Sequence, residues 1–480
     1  MSGTFPAYRG ELEYVCQVCG ARFDSEELLY TCPKCKGVFL LKDRKFDELK
    51  KISGKKWREI FDERAKTKIY ELRGIFRFYE LMAPILEKED IVYLGEGNTP
   101  IVFASNNFQK YVGINFAYKN EGQNPSASFK DRGMACAFSF LSHLVREKGY
   151  KNILAICAST GDTSASAAMY GAYVGDPIKS VVLLPHGKVT PEQLAQPLGS
   201  GAFVLELPGV FDDCMKVVEY LADNYNVALL NSKNSWRILG QESYSFEIAQ
   251  WFDWDVDGKV IFVPIGNAGN IAAIISGFIK LYDLQIINSL PKIIGVQSSH
   301  ADPVYRFYSM DKENRKYEPV SVRPSVAQAA MIGNPVSFPR VKELVDKYES
   351  LGGVFYVVQV EEQQIIEGML IVNKHGHIAC TQGGECFAGM LKARELNIIE
   401  KDEVCVLDAT AHSLKFLKFQ QMYFDDSFPQ DYEIVPKDEL KNFPKLILDV
   451  SEKKSLSKDT FYQKAVENIV RELGLEGKKR

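Results

Sequence analysis

The chain lacks several features that would place it in a common class of protein. Its longest apolar run, around Ile271 to Ile279, is broken by Ser276 and Gly277, so no stretch reaches membrane-spanning length. A formal net charge of −4 shows no excess of basic residues, and neither nucleic acid nor an anionic membrane is expected as a partner. The first residues lack a charged-then-apolar leader, and we expect a cytoplasmic protein. Internal repeats, low-complexity tracts and heptad arrays are also missing.

The composition is that of a globular protein, with 46% hydrophobic and 25% charged residues. A length of 480 residues is enough for two or three domains.

Ten cysteines in such a chain indicate reduced thiols or a metal site. Two CxxC pairs lie near the N-terminus, Cys16 with Cys19 and Cys32 with Cys35. Their spacing predicts a structural four-thiolate zinc ribbon, because each pair can hold one side of a tetrahedral ion. A redox CxxC is the alternative, but that motif usually occurs once.

The stretch NPSASFKDRGM, residues 124–134, places Lys130 between a loop and a helix. Asn124-Pro125 and the small residues after it prevent a helix before Lys130, whereas the residues after it are typical of one. The positive end of the helix dipole and partial burial would lower the pKa of the lysine and leave a nucleophilic amine. Such a lysine suits a covalent link to an aldehyde cofactor, although a surface lysine at a helix start is the commoner case.

From Ile101 onward, apolar strands alternate with small-residue loops and helices. Predicted strands lie at 152–160, 180–185, 202–207, 227–231, 292–298 and 402–410, and KVIFVPIGNAGNIAAIISGFIKLYDL is predicted to form a strand, a glycine turn and a long helix. Continuous apolar strands separated by helices predict a parallel α/β fold with its active site at the carboxyl ends of the strands. Before this region we predict a helix from Tyr70 to Leu86, and after it an amphipathic segment near Thr460 to Leu473.

Several of these strands are followed by segments that carry polar chemistry. Gly266–Asn270 is a turn that opens a helix and could hold a phosphate through its amides, or be a simple strand–helix turn. The hydroxyl-rich loop at 159–164 could bind a carboxylate, or simply cap the next helix. Arg237, in NSKNSWRILGQES, offers a planar fork for a phosphate, and Thr410 could face a ring nitrogen or cap a helix.

The segment 375–390 contains a group of residues that suggests a second metal. His375, His377, Cys380 and Cys386 could bind one, but a glycine-rich turn with core cysteines is the favoured interpretation. The remaining cysteines of the α/β region lie in apolar contexts and are expected in the core; they are Cys136, Cys157, Cys214 and Cys405.

Taken together, these motifs resemble the threonine synthase family, pyridoxal-phosphate enzymes of fold type II, the tryptophan synthase β-like group. The matching pieces run in order from about residue 94 to 415: GEGNTP, KNEGQNPSASFKDRGM, ASTGDTSASAAMYGAYVG, NSKNSWRILGQES, VPIGNAGNIAA, IGNPVSFPR and ATAHSLK. A CxxC…CxxC ribbon precedes them in some members. The resemblance implies two parallel-sheet α/β domains with pyridoxal 5'-phosphate between them.

The resemblance also implies a role for each matching residue. Lys130 would be the catalytic residue, linked covalently to the cofactor and then moving protons. The residues implied to hold the cofactor are Lys130, Asp162, Gly266, Asn267, Ala268, Gly269, Asn270 and Thr410. The residues implied to bind the substrate are Ser159, Thr160, Thr163, Ser232 and Arg237. Asp162 departs from the Asn of many relatives, and an ionised Asp would repel a phenolate, so either Asp162 or the ring oxygen of the cofactor would be protonated.

The implied reaction converts O-phospho-L-homoserine and water to L-threonine and phosphate by γ-elimination and β-addition. The alternatives are β-replacement on O-phosphoserine, as in cysteate synthase, and a serine/threonine dehydratase. Ser232 and Arg237 favour a phosphorylated substrate. A nucleic-acid-binding protein with an inactive enzyme core is a further alternative, against which the acidic net charge and the intact Lys130 count. We expect a small-molecule substrate, no nucleic acid or membrane partner, and a homodimer.

The predicted division of the chain follows from these segments. It comprises a zinc ribbon at 1–45, a helical connector with the first part of the large cofactor domain at 46–125, a small α/β domain at 126–255, the rest of the large domain at 256–425 and a C-terminal extension at 426–480.

Overall fold

The computed structural model describes residues 4–159, 161–187, 191–209 and 211–477, and within them the strands form three sheets. The strands are β1 Leu12–Cys16, β2 Arg22–Asp24, β3 Phe39–Asp43, β4 Ile101–Phe103, β5 Asn115–Asn120, β6 Ile153–Ala158, β7 Ile178–Pro185, β8 Phe203–Leu207, β9 Val227–Leu229, β10 Lys259–Pro264, β11 Lys292–Ser298, β12 Phe355–Val360 and β13 Val404–Ala409.

The α-helices alternate with these strands over most of the chain. They are α1 Phe46–Leu49, α2 Gly54–Arg64, α3 Tyr79–Met82, α4 Asn106–Val112, α5 Lys130–Lys148, α6 Asp162–Val174, α7 Pro191–Gly199, α8 Phe211–Asn224, α9 Ser235–Gln241, α10 Ser243–Trp251, α11 Gly269–Asp283, α12 Pro303–Tyr308, α13 Phe338–Ser350, α14 Glu362–Lys374, α15 Thr381–Glu395, α16 Leu417–Phe424, α17 Val450–Ser455 and α18 Lys458–Leu473.

The largest sheet has six strands in the order β12-β11-β10-β13-β5-β4. Its pairings are parallel except at the edge, where β4 runs antiparallel to β5. The central strand β10 is buried from Val260 to Pro264, because helices cover both faces of a parallel sheet and its strands must be apolar on both sides. The predicted α/β class is confirmed, with one antiparallel edge strand added.

A second sheet has four parallel strands in the order β8-β7-β6-β9. Polar segments follow four of the strands: β6 ends directly before Ser159, β13 directly before Thr410, β10 two residues before Gly266, and β9 three residues before Ser232. The polar segments of the sequence therefore follow the carboxyl ends of strands, as predicted.

The N-terminal strands form a small antiparallel sheet, β2-β1-β3, that packs against helix α9. The indole Nε1 of Trp236 donates to the Tyr14 hydroxyl at 3.0 Å, and the Ser235 hydroxyl donates to the Phe39 carbonyl at 3.0 Å. The small sheet therefore supports the helix that carries Arg237.

The predicted helix from Tyr70 to Leu86 was wrong in its extent. This stretch contains two short 3₁₀ turns, Tyr70–Leu72 and Ile75–Phe78, and then only the single turn of α3. Gly74 separates the two 3₁₀ turns, and Pro84 follows α3, where it cannot continue a helix. The amphipathic C-terminal segment was correct and forms α18. Among the described helices, none is long and apolar enough to cross a membrane.

Candidate active site

Lys130 is the first residue of α5, at the loop-to-helix junction that the sequence predicted. The loop before it is attached to the segment after β13: the Phe129 amide donates to the Thr410 carbonyl at 2.9 Å, and Ser128 forms a β-bridge with Ala411. The Asp131 carboxylate accepts the Ser126 amide and hydroxyl, each at 2.6 Å. Lys130 is thus held in place from both sides of its sequence position.

A buried network of side-chain ion pairs holds the first turn of α5 in place. The Arg132 guanidinium, with no exposed surface, donates to the Glu121 carboxylate at 2.7 and 2.8 Å and to Glu247 at 2.7 Å. Lys119 donates to the other side of this network, to Glu247 at 2.9 Å. Buried charges need partners of opposite charge. Here these ion pairs connect α5 to β5 and to α10.

The amine of Lys130 is set up to be a base near neutral pH. Burial first, and then the nearby positive charges of Arg237 and Lys415, lower its pKa to about 7, while Asp162 and Asp408 oppose this shift. Its Nζ lies 4.2 Å from the centroid of the Phe129 ring. The lowered pKa makes the neutral amine of Lys130 accessible near neutral pH.

Lys130 faces a cavity of about 630 Å³, including space open to solvent. The predicted site residues that line this cavity are Lys130, Asp162, Ser232, Arg237, Gly266, Asn267, Ala268, Gly269, Asn270 and Thr410. Residues that the sequence analysis did not select also line it; they include Gln241, Ala329, Ala330 and Gln382. The tertiary structure thus brings segments from both parallel sheets to one place.

The turn at Gly266–Asn270 packs closely against the main chain of Ala329 and Ala330. A Cβ at Gly266 would lie 2.9 Å from both the Ala329 carbonyl oxygen and the Ala330 Cα, so only glycine fits there. Ala268 adopts a left-handed conformation, with φ of 62°, and α11 begins at the next residue. Amides at the start of a buried helix attract an anion.

Arg237 reaches the cavity because α9 packs very closely on α5. A Cβ at Gly240 would lie 2.2 Å from the Arg132 carbonyl oxygen, a distance that only glycine permits. The Arg237 side chain is 2% exposed; its Nη1 donates to the Leu230 carbonyl at 2.7 Å, and its Nε has no partner among the described residues. Burial lowers the pKa of Arg237 to about 10, so the guanidinium stays charged at neutral pH.

The loop before α6 is less closely tied to the cavity. Asp162 is the first residue of α6 rather than its cap, since Gly161 occupies the cap position. Ser159 accepts the Gly161 amide at 3.3 Å, and neither Ser159 nor Thr163 lines the cavity. Thr160 lies outside the described residues. The substrate-binding roles of these three residues stay predictions.

Gln382 is the cavity residue that sequence reasoning missed most clearly. It is 3% exposed, and neither atom of its side-chain amide has a partner within the described part of the chain. The sequence feature that could have pointed to Gln382 is the unusual segment 375–390. We interpreted it as a turn, but helix α15 begins within it at Thr381.

Cys380 and Cys386 are core residues, as expected, and the Cys380 sulfur lies 3.3 Å from the Thr410 hydroxyl oxygen. The four cysteines expected in the core of the α/β region are likewise buried.

The second metal suggested by 375–390 finds no support in the geometry. The His375 ring stacks on Phe108 at 3.9 Å. Within the described ranges, the one group of potential metal ligands is that of the four ribbon cysteines, whose sulfur atoms all lie within 4.8 Å of one another. Cys16 and Cys35 are 3.4 Å apart, and Cys19 and Cys32 are 3.7 Å apart, as measured between sulfurs.

Comparisons with known proteins find similar sequences and a similar fold. Threonine synthase of Methanocaldococcus jannaschii is 38% identical over 404 residues, covering 83% of this chain and 92% of that protein. Threonine synthase 2, chloroplastic, of Arabidopsis thaliana is 33% identical over 398 residues, covering 82% of this chain and 74% of that protein. The crystal structure of threonine synthase from Escherichia coli shares the fold, with a TM-score of 0.63 at 19% identity over 85% of this chain and 91% of that one.

The family model described as "Pyridoxal-phosphate dependent enzyme" matches residues 92–409, which contain all the cavity residues named above except Thr410. The chain belongs to the family of pyridoxal-phosphate-dependent enzymes.

Proposed function

We propose that this protein is a threonine synthase, a lyase that converts O-phospho-L-homoserine and water to L-threonine and phosphate. The names of its relatives support this activity, as does a cavity in which a lysine of lowered pKa faces a buried arginine. The juxtaposition of Lys130 and Arg237 is the observation that carries the proposal, because the reaction needs a base and a phosphate site close together.

The cavity residues fit pyridoxal 5'-phosphate. The turn from Gly266 to Asn270 lines the cavity and opens α11, so amides at the start of a helix are available to a phosphate group. Thr410 would place a neutral hydroxyl opposite the pyridine nitrogen, and Lys130 offers the amine that the aldehyde requires. When bound, the cofactor supplies an electron sink for the carbon that loses its proton.

The chain's own residues would then divide the work. Lys130 would act as the base that takes the α proton and then a β proton, which its pKa of about 7 allows at neutral pH. Arg237, Ser232 and Asn267 would bind the phosphate of the substrate, with the free Nε–H of Arg237 as a charge-assisted donor. Phosphate released at this place and still held by Arg237 would help to activate the attacking water.

The direct test measures phosphate release from O-phospho-L-homoserine by wild type and Lys130→Ala, with identification of the amino-acid product. Threonine from the wild type alone supports both the substrate and the base. Release from O-phosphoserine instead would show the β-replacement activity. Turnover of free serine or threonine would show a dehydratase. A cofactor-bound protein that is silent with all of these would overturn the proposed reaction.

We also propose that Cys16, Cys19, Cys32 and Cys35 bind a structural zinc ion. Four thiolates whose sulfurs lie within 4.8 Å of one another can form one tetrahedral site with no position left for substrate. The division into domains, the homodimer and the cytoplasmic location stay predictions from the sequence.

A further inference from the structure

An ion pair at the edge of the cavity joins two segments that are far apart in sequence. The Lys415 ammonium lies 2.9 Å from the Asp162 carboxylate, and both side chains are largely buried, at 18% and 7% exposure. Asp162 begins α6, next to the four-stranded sheet, whereas Lys415 follows β13 of the six-stranded sheet. The pair therefore connects the two halves of the site.

Lys415 also contacts the loop that leads to the catalytic lysine. Its Nζ donates to the Ser126 carbonyl at 2.9 Å, and Ser126 in turn donates to Asp131, the neighbour of Lys130. Since Asp162 lines the same cavity as Lys130, the charges of Asp162 and Lys415 both act on the Lys130 nitrogen, in opposite directions.

This pair bears on the negative charge at position 162, where many relatives carry an uncharged Asn. A lone carboxylate in the cavity would place an uncompensated negative charge beside the cofactor. The ammonium of Lys415 lies within hydrogen-bonding distance of this carboxylate and balances its charge.

We propose that Lys415 is a positioning residue, which balances the Asp162 carboxylate and thereby sets the protonation of the nitrogen that Lys130 contributes to the bound cofactor. The inference rests on the cofactor part of the proposed function and not on the substrate. Other charged or titratable groups act on the two lysines or on Asp162 and are left unchanged by the test; they are Arg237, Asp408, Asp131 and Cys380.

The test is a pH titration of the absorbance of the cofactor in the holoenzyme. Lys415→Met removes a positive charge and should raise the midpoint pH, because the protonated nitrogen is then favoured. Asp162→Asn removes a negative charge and should lower it. Each shift should be about one pH unit. The double variant Asp162→Asn/Lys415→Met removes both charges and should return close to the wild-type midpoint.

Two further variants separate this role from a merely structural one. Lys415→Arg keeps the charge and should keep the midpoint, whereas Lys418→Met removes an exposed lysine three residues away and should change nothing. Midpoints that stay at the wild-type value in all variants, a double variant equal to Lys415→Met alone, or a protein that takes up no cofactor would each overturn the inference. Because no substrate is present, a wrong assignment of the reaction would leave this result unaffected.

Discussion

Arg237→Lys is the substitution that best tests the phosphate site. The change keeps a positive charge but replaces a planar fork of five N–H donors with three donors at one point. In the structure, Nη1 of the Arg237 guanidinium donates to the Leu230 carbonyl at 2.7 Å, whereas Nε has no partner among the described residues. A lysine cannot both satisfy Leu230 and bind a phosphate with two parallel hydrogen bonds.

The expected cost follows from the loss of one charge-assisted hydrogen bond, worth about 1.5 to 3 kcal/mol. Since about 1.4 kcal/mol corresponds to a tenfold change, kcat/KM for O-phospho-L-homoserine should fall by about 10- to 150-fold. The fall should appear in both KM and kcat if Arg237 also holds the released phosphate. Inhibition by inorganic phosphate should weaken in parallel.

The assay is steady-state phosphate release, with thermal unfolding of each variant as a check on folding. Arg306→Lys is the matched control, since Arg306 is exposed on α12 and lies outside the cavity lining. Kinetic constants of Arg237→Lys that equal those of the wild type, in a folded protein, would remove Arg237 from the phosphate site. A loss of the same size in Arg306→Lys would show that the effect is not specific.

Three further outcomes follow from the structure. The rate at which apoenzyme takes up cofactor should rise with pH through about 7 and then level off, because the lowered pKa of Lys130 leaves a neutral amine above that pH; a rate still rising towards the ordinary value of 10.5 would contradict this. Cys32→Ser should abolish zinc binding, as measured by elemental analysis, and lower the Tm by about 5 °C or more; wild-type protein without zinc would refute the metal site. Arg340→Met removes a fully buried donor to three main-chain carbonyls, those of the small N-terminal sheet and of the Ser232 loop. In urea denaturation it should cost about 3 kcal/mol of unfolding free energy, and an unchanged midpoint would show that these bonds contribute nothing.

Many strands of the α/β core could be predicted from the sequence because short segments of the chain are enough to identify them. Apolar runs such as KVIFVP and KIIGVQS predicted β10 and β11, since a strand buried on both faces needs no partner to be recognised. The strands β5 and β12 were not predicted. In NFAYKN, polar residues are mixed with apolar ones, and the pairing with β13 is what makes this segment a strand, whereas FYVVQV is as apolar as KIIGVQS and was overlooked.

The outcome was similar at the site. The helix start at Lys130 and the turn at Gly266 depend on their own sequences, and both lie where they were predicted. Gln382 was missed because its meaning depends on where α15 enters the cavity, which no local pattern reveals.

The sequence by itself therefore determined the elements that arise from short-range preferences: the loop before Lys130, the glycine turn that opens α11, the spacing of the four cysteines and the buried parallel strands. Only the tertiary structure decided the contacts between distant segments. The close packing at Gly240 brings Arg237 to Lys130, and Lys415 balances Asp162. The physical reason is that burial and neighbouring charge, which set the pKa of Lys130 and the partners of Arg237, arise from elements far apart in the chain and exist only after those elements have packed.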